Sequence, residues 1–135
     1  MKRRRFSFLI AAGFAAFSCF YSACQSTYPQ GQAIYERYCA TCHMETGEGL
    51  RGLYPPLAQS DYLTNHREKL PCIIRNGIEG PIIVNGKTYN QPMVAVPDLN
   101  ETEIHNLLNY ISQAWENELP YFSPKEIEKA LNQCK

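Results

Sequence analysis

The spacing of apolar residues changes repeatedly along this chain, and each change marks an element. Residues 6–17 form an uncharged, mostly apolar run directly behind Lys2, Arg3, Arg4 and Arg5. A basic start followed by an apolar run of this length predicts an export signal over residues 1–23, too short to span a bilayer as a mature helix. The alternative, a buried N-terminal helix, would have to open on four basic residues. Residues 24–29 then read as a polar tether. Ala33, Ile34, Tyr35 and Tyr38 predict a helix of about three turns leading into Cys39. Gly47, Gly49 and Gly52 signal an irregular loop after it, and Pro55-Pro56 keeps the next apolar segment out of any helix interior. Residues 61–70 allow one or two helical turns, and Pro71 opens a short helix that Gly77 stops. β-Branched residues around Asn85-Gly86 predict a small hairpin flap. Asn100 and Glu103 form a capping box ahead of a helix whose apolar face carries Ile104, Leu107, Leu108, Ile111 and Trp115. A second box, Ser123 with Glu126, opens a final short helix toward Cys134. The pattern is all-α, with three to five helices and one hairpin, and no internal repeat.

Length and composition suit one small globular domain: 135 residues, 44% hydrophobic and 19% charged. The formal net charge of zero conceals an asymmetry. Without residues 1–23, nine of the thirteen basic residues remain against all thirteen acidic ones, a net charge of −4. A mildly acidic exported protein is a poor nucleic-acid binder, and a partner with a basic docking patch is the natural expectation. The segment ending Ser22-Ala23-Cys24 resembles a bacterial lipoprotein signal, in which Cys24 would become the lipid-bearing first residue. Tyr21 departs from the aliphatic residue usual at that place, and Cys19 is a weaker competitor. The expected location is the periplasmic side of a bacterial membrane, through the Cys24 anchor; an ordinary cleaved signal would leave a soluble periplasmic protein.

The chemistry concentrates in Cys39-Ala40-Thr41-Cys42-His43. This C-x-x-C-H spacing lets two cysteines form thioethers to the two vinyl groups of one haem, with His43 set beneath the iron. A redox dithiol would ordinarily open a helix after a strand, and no such pattern surrounds the motif. Half of a zinc site would need a second ligand pair at suitable spacing, and none exists. Met93, His66 and His105 are the candidates for a sixth iron ligand. His105 has the look of a solvated helix histidine, His66 lies in a charged stretch expected to be exposed, and Met93 sits in a proline-stiffened loop.

From Gly31 to Trp115 the chain resembles a class I cytochrome c. Gly31 and Tyr35 match the glycine and aromatic of that family's N-terminal helix where it crosses the C-terminal one, with Leu107 and Tyr110 opposite. Pro55-Pro56-Leu57 is similar to the family's proline-x-leucine, which implies that the Pro55 carbonyl accepts the proton on the outer nitrogen of His43. The run Gly86-Lys87-Thr88-Tyr89-Asn90-Gln91-Pro92-Met93 is similar to the family's G-x-x-Y-N-x-x-M, which implies that Met93 is the second axial ligand. Val94 stands where the family usually has proline. The resemblance implies a cytochrome c fold wrapped around one covalent haem c over residues 30–115, with residues 116–135 as a helical extension.

Once Cys24, Cys39 and Cys42 are assigned, Cys72 and Cys134 remain as an expected disulfide, two separate buried thiols being the alternative. Histidine–methionine ligation leaves no open iron position. The expected function is therefore single-electron transfer to and from redox protein partners, such as a respiratory complex, oxidase or reductase. No catalytic residue and no small-molecule substrate are expected. Two competing functions are a haem enzyme or ligand sensor with a labile Met93, and a fixed subunit of a larger oxidase or reductase complex.

Overall fold

The computed structural model describes residues 26–134; the expected export signal and Cys24 lie outside them. Six α-helical segments follow one another: α1 (Pro29–Tyr38), α2 (Ala40–His43), α3 (Asp61–Asn65), α4 (Leu70–Asn76), α5 (Glu101–Gln113) and α6 (Pro124–Leu131). An antiparallel hairpin of β1 (Ile82–Val84) and β2 (Lys87–Tyr89) separates α4 from α5. The fold is helical with one small flap.

Helix α1 begins earlier than the periodicity suggests, because Pro29 occupies its first turn, where a missing N–H costs nothing. Gly31 and Tyr35, one turn apart, form its buried face against α5. A Cβ on Gly31 would overlap the Asn106 carbonyl oxygen and lie 2.7 Å from Tyr110 Cβ. The two helices can approach this closely only with glycine at that point. Asn106 adds a hydrogen bond to Gln30 Oε1 at 2.9 Å.

The capping box at Asn100 and Glu103 is formed, and α5 buries Ile104, Leu107, Leu108 and Ile111 along one face. Burying side chains of this size contributes about 1.5–3 kcal/mol each. Trp115 does not extend that face. Helix α5 ends at Gln113, Ala114 turns to ψ 154°, and Trp115 takes the left-handed backbone at φ 52°. Its ring instead packs 4.9 Å from Tyr35 and 5.7 Å from Tyr110, measured between centroids.

In the hairpin, Asn85 and Gly86 both have positive φ, at 49° and 73°, the pairing a two-residue turn of this hand requires. Asn85 also anchors the flap. Its N–H donates to Asp61 at 2.7 Å and its Oδ1 accepts the Asp61 N–H at 3.0 Å.

The C-terminal extension is part of the core. Phe122 and Ile127 are buried in the same cluster as Tyr35, Leu63, Leu70 and Ile104. Buried Asn109 fixes the approach, exchanging hydrogen bonds with Phe122 N–H and carbonyl at 2.9 and 3.1 Å. Arg67 holds the same segment from outside. It donates to the Pro120 and Tyr121 carbonyls at 2.9 and 2.8 Å, and its guanidinium carbon lies 3.4 Å from the Phe122 ring centroid. Further along, the sulfurs of Cys72 on α4 and Cys134 beyond α6 are bonded at 2.08 Å.

Candidate functional site

One cleft runs through the fold, and its walls come from every helix but α6 and from β1 of the hairpin. Cys39, Cys42 and His43 line it beside Pro55 and Leu57; Ile73 and Ile74 come from α4, and Ile82 and Val84 from the hairpin. Met93 and Val96 enter from the loop before α5, whose Leu107, Leu108 and Ile111 complete the lining. The surface is almost wholly apolar, suited to a large flat hydrophobic group.

Cys39 interrupts the helical path between α1 and α2, and α2 is the single turn that carries Cys42 and His43. His43 is only 9% exposed. Its Nδ1 lies 3.0 Å from the Pro55 carbonyl oxygen, a partner that can only accept, so Nδ1 carries the proton and Nε2 keeps its lone pair. Burial pushes the imidazole below its ordinary pKa, while the Pro55 hydrogen bond pulls the other way. The result is a neutral ring, the form that binds a metal.

The loop between His43 and Pro55 is built to hold that carbonyl. Gly49 N–H donates to the His43 carbonyl at 3.0 Å, and the Gly47 carbonyl accepts from Leu57 and Ala58 at 2.7 and 2.9 Å. Gly49 has φ 67°, and a Cβ there would lie 2.6 Å from the Pro55 oxygen. Any side chain at Gly49 would displace the acceptor of the His43 proton.

Neither Cys39 nor Cys42 is in a disulfide. Burial, together with neighbouring Cys42, pushes the Cys39 thiol up to about 12. A redox dithiol requires the opposite, a thiolate stabilised near neutral pH. Among the described residues no three His, Cys, Asp or Glu side chains cluster as a metal site would need, so the zinc reading also lacks its donors.

Met93, half-buried, lines the same cleft from the loop before α5. Its backbone pairs with Ile78 in both directions, at 3.0 and 3.1 Å. Gly77, at φ 76°, packs directly on the Met93 carbonyl. The other sixth-ligand candidates are elsewhere. His66 is half-buried rather than exposed, its ring packing at a tilt with its centroid 4.2 Å from that of Tyr62. His105 is half-buried too, with Nε2 at 2.8 Å from the Tyr121 hydroxyl. Neither lines the cleft.

A neutral imidazole with a free Nε2, two cysteines and a thioether, all set in one apolar cleft, fit a covalently attached haem. The fold and cleft define a c-type cytochrome. Residues 29–115 match the family model "Cytochrome c". The chain is 34% identical over 119 residues to a cytochrome c-552 of Thermus thermophilus, covering 85% of this chain and 73% of that protein. A second Thermus thermophilus cytochrome c-552 is 38% identical over 89 residues, covering 63% of this chain and 67% of that protein. The cytochrome c subunit of a quinone alcohol dehydrogenase from Gluconobacter oxydans is 30% identical over 107 residues, 73% of this chain but 21% of that subunit.

The chain belongs to the cytochrome c family, carries covalently bound haem c and transfers electrons. Members of the family are electron carriers, generally not enzymes, and are typically exported. No described helix is long and apolar enough to cross a membrane.

Several residues that shape this site give no advance signal of their roles: Gly47, Gly49, Trp115 and Asn117. Three glycines announce a loop but not what each one touches. Left-handed residues after a helix leave no mark in a hydrophobic pattern.

Proposed function

We propose that this cytochrome is a one-electron carrier between respiratory or periplasmic redox partners, with a single haem held through Cys39 and Cys42 and ligated by His43 and Met93. The observation that carries the reading is His43: buried, neutral, locked to Pro55 through Nδ1, and presenting Nε2 to an apolar cleft that Met93 also lines. Bound haem c supplies the one-electron iron couple. The chain's own residues keep water away from the cleft and hold His43 in one tautomer, and His43 and Met93 would hold the iron. With both of them bound, no substrate would have a place on the metal, and the protein acts as a carrier rather than an enzyme.

Pro55 is the orienting partner of His43, strengthening its donation toward the iron. Residues 1–23 direct export, and Cys24 carries the lipid that keeps the protein on the periplasmic face of a membrane. The residues from Cys24 to the start of α1 serve as the tether, α1 through Trp115 as the haem-binding unit and 116–135 as an extension tied by Cys72–Cys134.

The test is an absorption spectrum of the protein with a pyridine haemochrome assay. A c-type α-band and a near-infrared methionine–iron band are expected. Absence of the first overturns haem attachment, and absence of the second alone removes Met93. Release from membranes in Cys24→Ala tests the anchor separately. A second reading, a fixed subunit of a dehydrogenase complex, draws on the likeness to the alcohol dehydrogenase cytochrome subunits. Stable co-purification with a dehydrogenase would favour it over a free shuttle.

A further inference from the structure

The chain leaving α5 adopts a backbone that local preference does not explain. Trp115, Glu116 and Glu118 all have left-handed φ, at 52°, 63° and 47°. Each such residue carries a steric cost, so three within four positions persist only where contacts hold them. Those contacts converge on the loop behind the cleft. Trp115 Nε1 donates to the Glu45 carbonyl at 3.1 Å, and its ring covers Gly47, where a Cβ would meet it at 2.5 Å. Asn117 Nδ2 donates to the Leu57 and Ile111 carbonyls at 3.1 and 2.7 Å, while its Oδ1 accepts the Gln59 N–H at 2.5 Å. Trp115 therefore grips the outgoing leg of the loop and Asn117 the returning leg. Pro55 lies between them, and neither Trp115 nor Asn117 lines the cleft.

We infer that Trp115 and Asn117 are positioning residues for the His43–Pro55 hydrogen bond, and that through it they set the donor strength of His43. The inference rests on His43 being an axial ligand. An Nδ1–H held firmly on the Pro55 carbonyl enriches the ring in electron density and strengthens donation from Nε2. Stronger donation favours the oxidised iron. Releasing either leg lets the carbonyl drift and raises the reduction potential.

The holo-protein supplies the test. Asn117→Ala removes the returning grip. Asn117→Asp keeps the acceptor for Gln59 but loses both donors, and Trp115→Phe keeps the ring but loses the bond to Glu45. Ser123→Ala is the control, since it removes a distant helix cap and touches nothing in the loop. Visible spectra, reduction potentials and the exchange rate of the His43 ring N–H by NMR are measured on each. Asn117→Ala should keep the c-type spectrum, raise the potential and speed ring N–H exchange. Asn117→Asp and Trp115→Phe should do the same to a smaller degree, and they carry the test if Asn117→Ala does not fold. Ser123→Ala should leave both readouts unchanged. Loop variants indistinguishable from wild type or from Ser123→Ala overturn the clamp while leaving ligation by His43 intact. A wild-type protein without a c-type spectrum overturns the ligation itself.

Discussion

The two walls of the cleft restrain their candidate ligands in different ways. On the His43 side the restraint acts on the side chain. Nδ1 is bonded to Pro55, Gly49 sits against that carbonyl, and Gly47 ties the loop closed. On the Met93 side the restraint acts on backbone alone, through the Ile78 pairing and the packing of Gly77. Among the described residues no hydrogen bond reaches the Met93 thioether, a weak acceptor, and neighbouring Val94 is 79% exposed. The difference teaches which ligand is fixed in advance and which depends on the path of the chain. A side-chain hydrogen bond sets orientation; a backbone bridge sets only position.

Substitutions on either wall break or sharpen that contrast. The largest effect is expected from His43→Ala, which should abolish the native c-type spectrum and most recovery of holo-protein, measured by pyridine haemochrome. Met93→Ala should keep covalent haem but lose the near-infrared band and bind added imidazole readily. Equally ready imidazole binding by the wild-type protein would show the methionine side to be open already. Replacing Cys72 and Cys134 together by serine should cost about 4 kcal/mol in urea denaturation on the chain-entropy estimate for a separation of 62 residues. The absorption spectrum of the folded variant should not change.

Gly49→Ala and Gly77→Ala form the sharpest pair. Each should cost about 1–3 kcal/mol, since a Cβ meets backbone at a left-handed position. Gly49→Ala should move the reduction potential while keeping the methionine band, and Gly77→Ala should weaken that band. The same spectroscopic change in both would erase the distinction between the walls.

The smallest effect concerns pH. Hydrogen bonds from Ser123, backbone first, and then Arg67 hold the Glu126 carboxyl below the usual carboxylate range. Its folded pKa lies below its unfolded one, so its contribution is present above the unfolded pKa and fades as pH falls through the folded value. Glu126→Gln should flatten the acid limb of the stability curve slightly, because this side chain is largely solvated.

Much of this arrangement is legible from local chemistry. Both capping boxes, the Asn85-Gly86 turn and the stop at Gly77 are encoded within four or five residues, and they form. So does the close crossing at Gly31, which needs one small residue at one contact. Trp115 departs from its expected place for a physical reason. Helical periodicity continues on paper whether or not the backbone has turned left-handed. His66 departs because charged neighbours suggest exposure, while the aromatic that covers it, Tyr62, lies one turn away. The support from Trp115 and Asn117 is long-range, joining residues some sixty to seventy positions apart, and no local pattern carries it.

Arg67 has a consequence for how the molecule comes apart. It fastens residues 120–122 independently of the disulfide, which fastens the chain only beyond α6. Reduction should therefore split one cooperative unit into two. Amides of α6 would exchange with solvent through a local opening, while those of α5 would still wait for global unfolding. Two fasteners on one short extension make its tip the part of the protein whose local stability should depend on the disulfide.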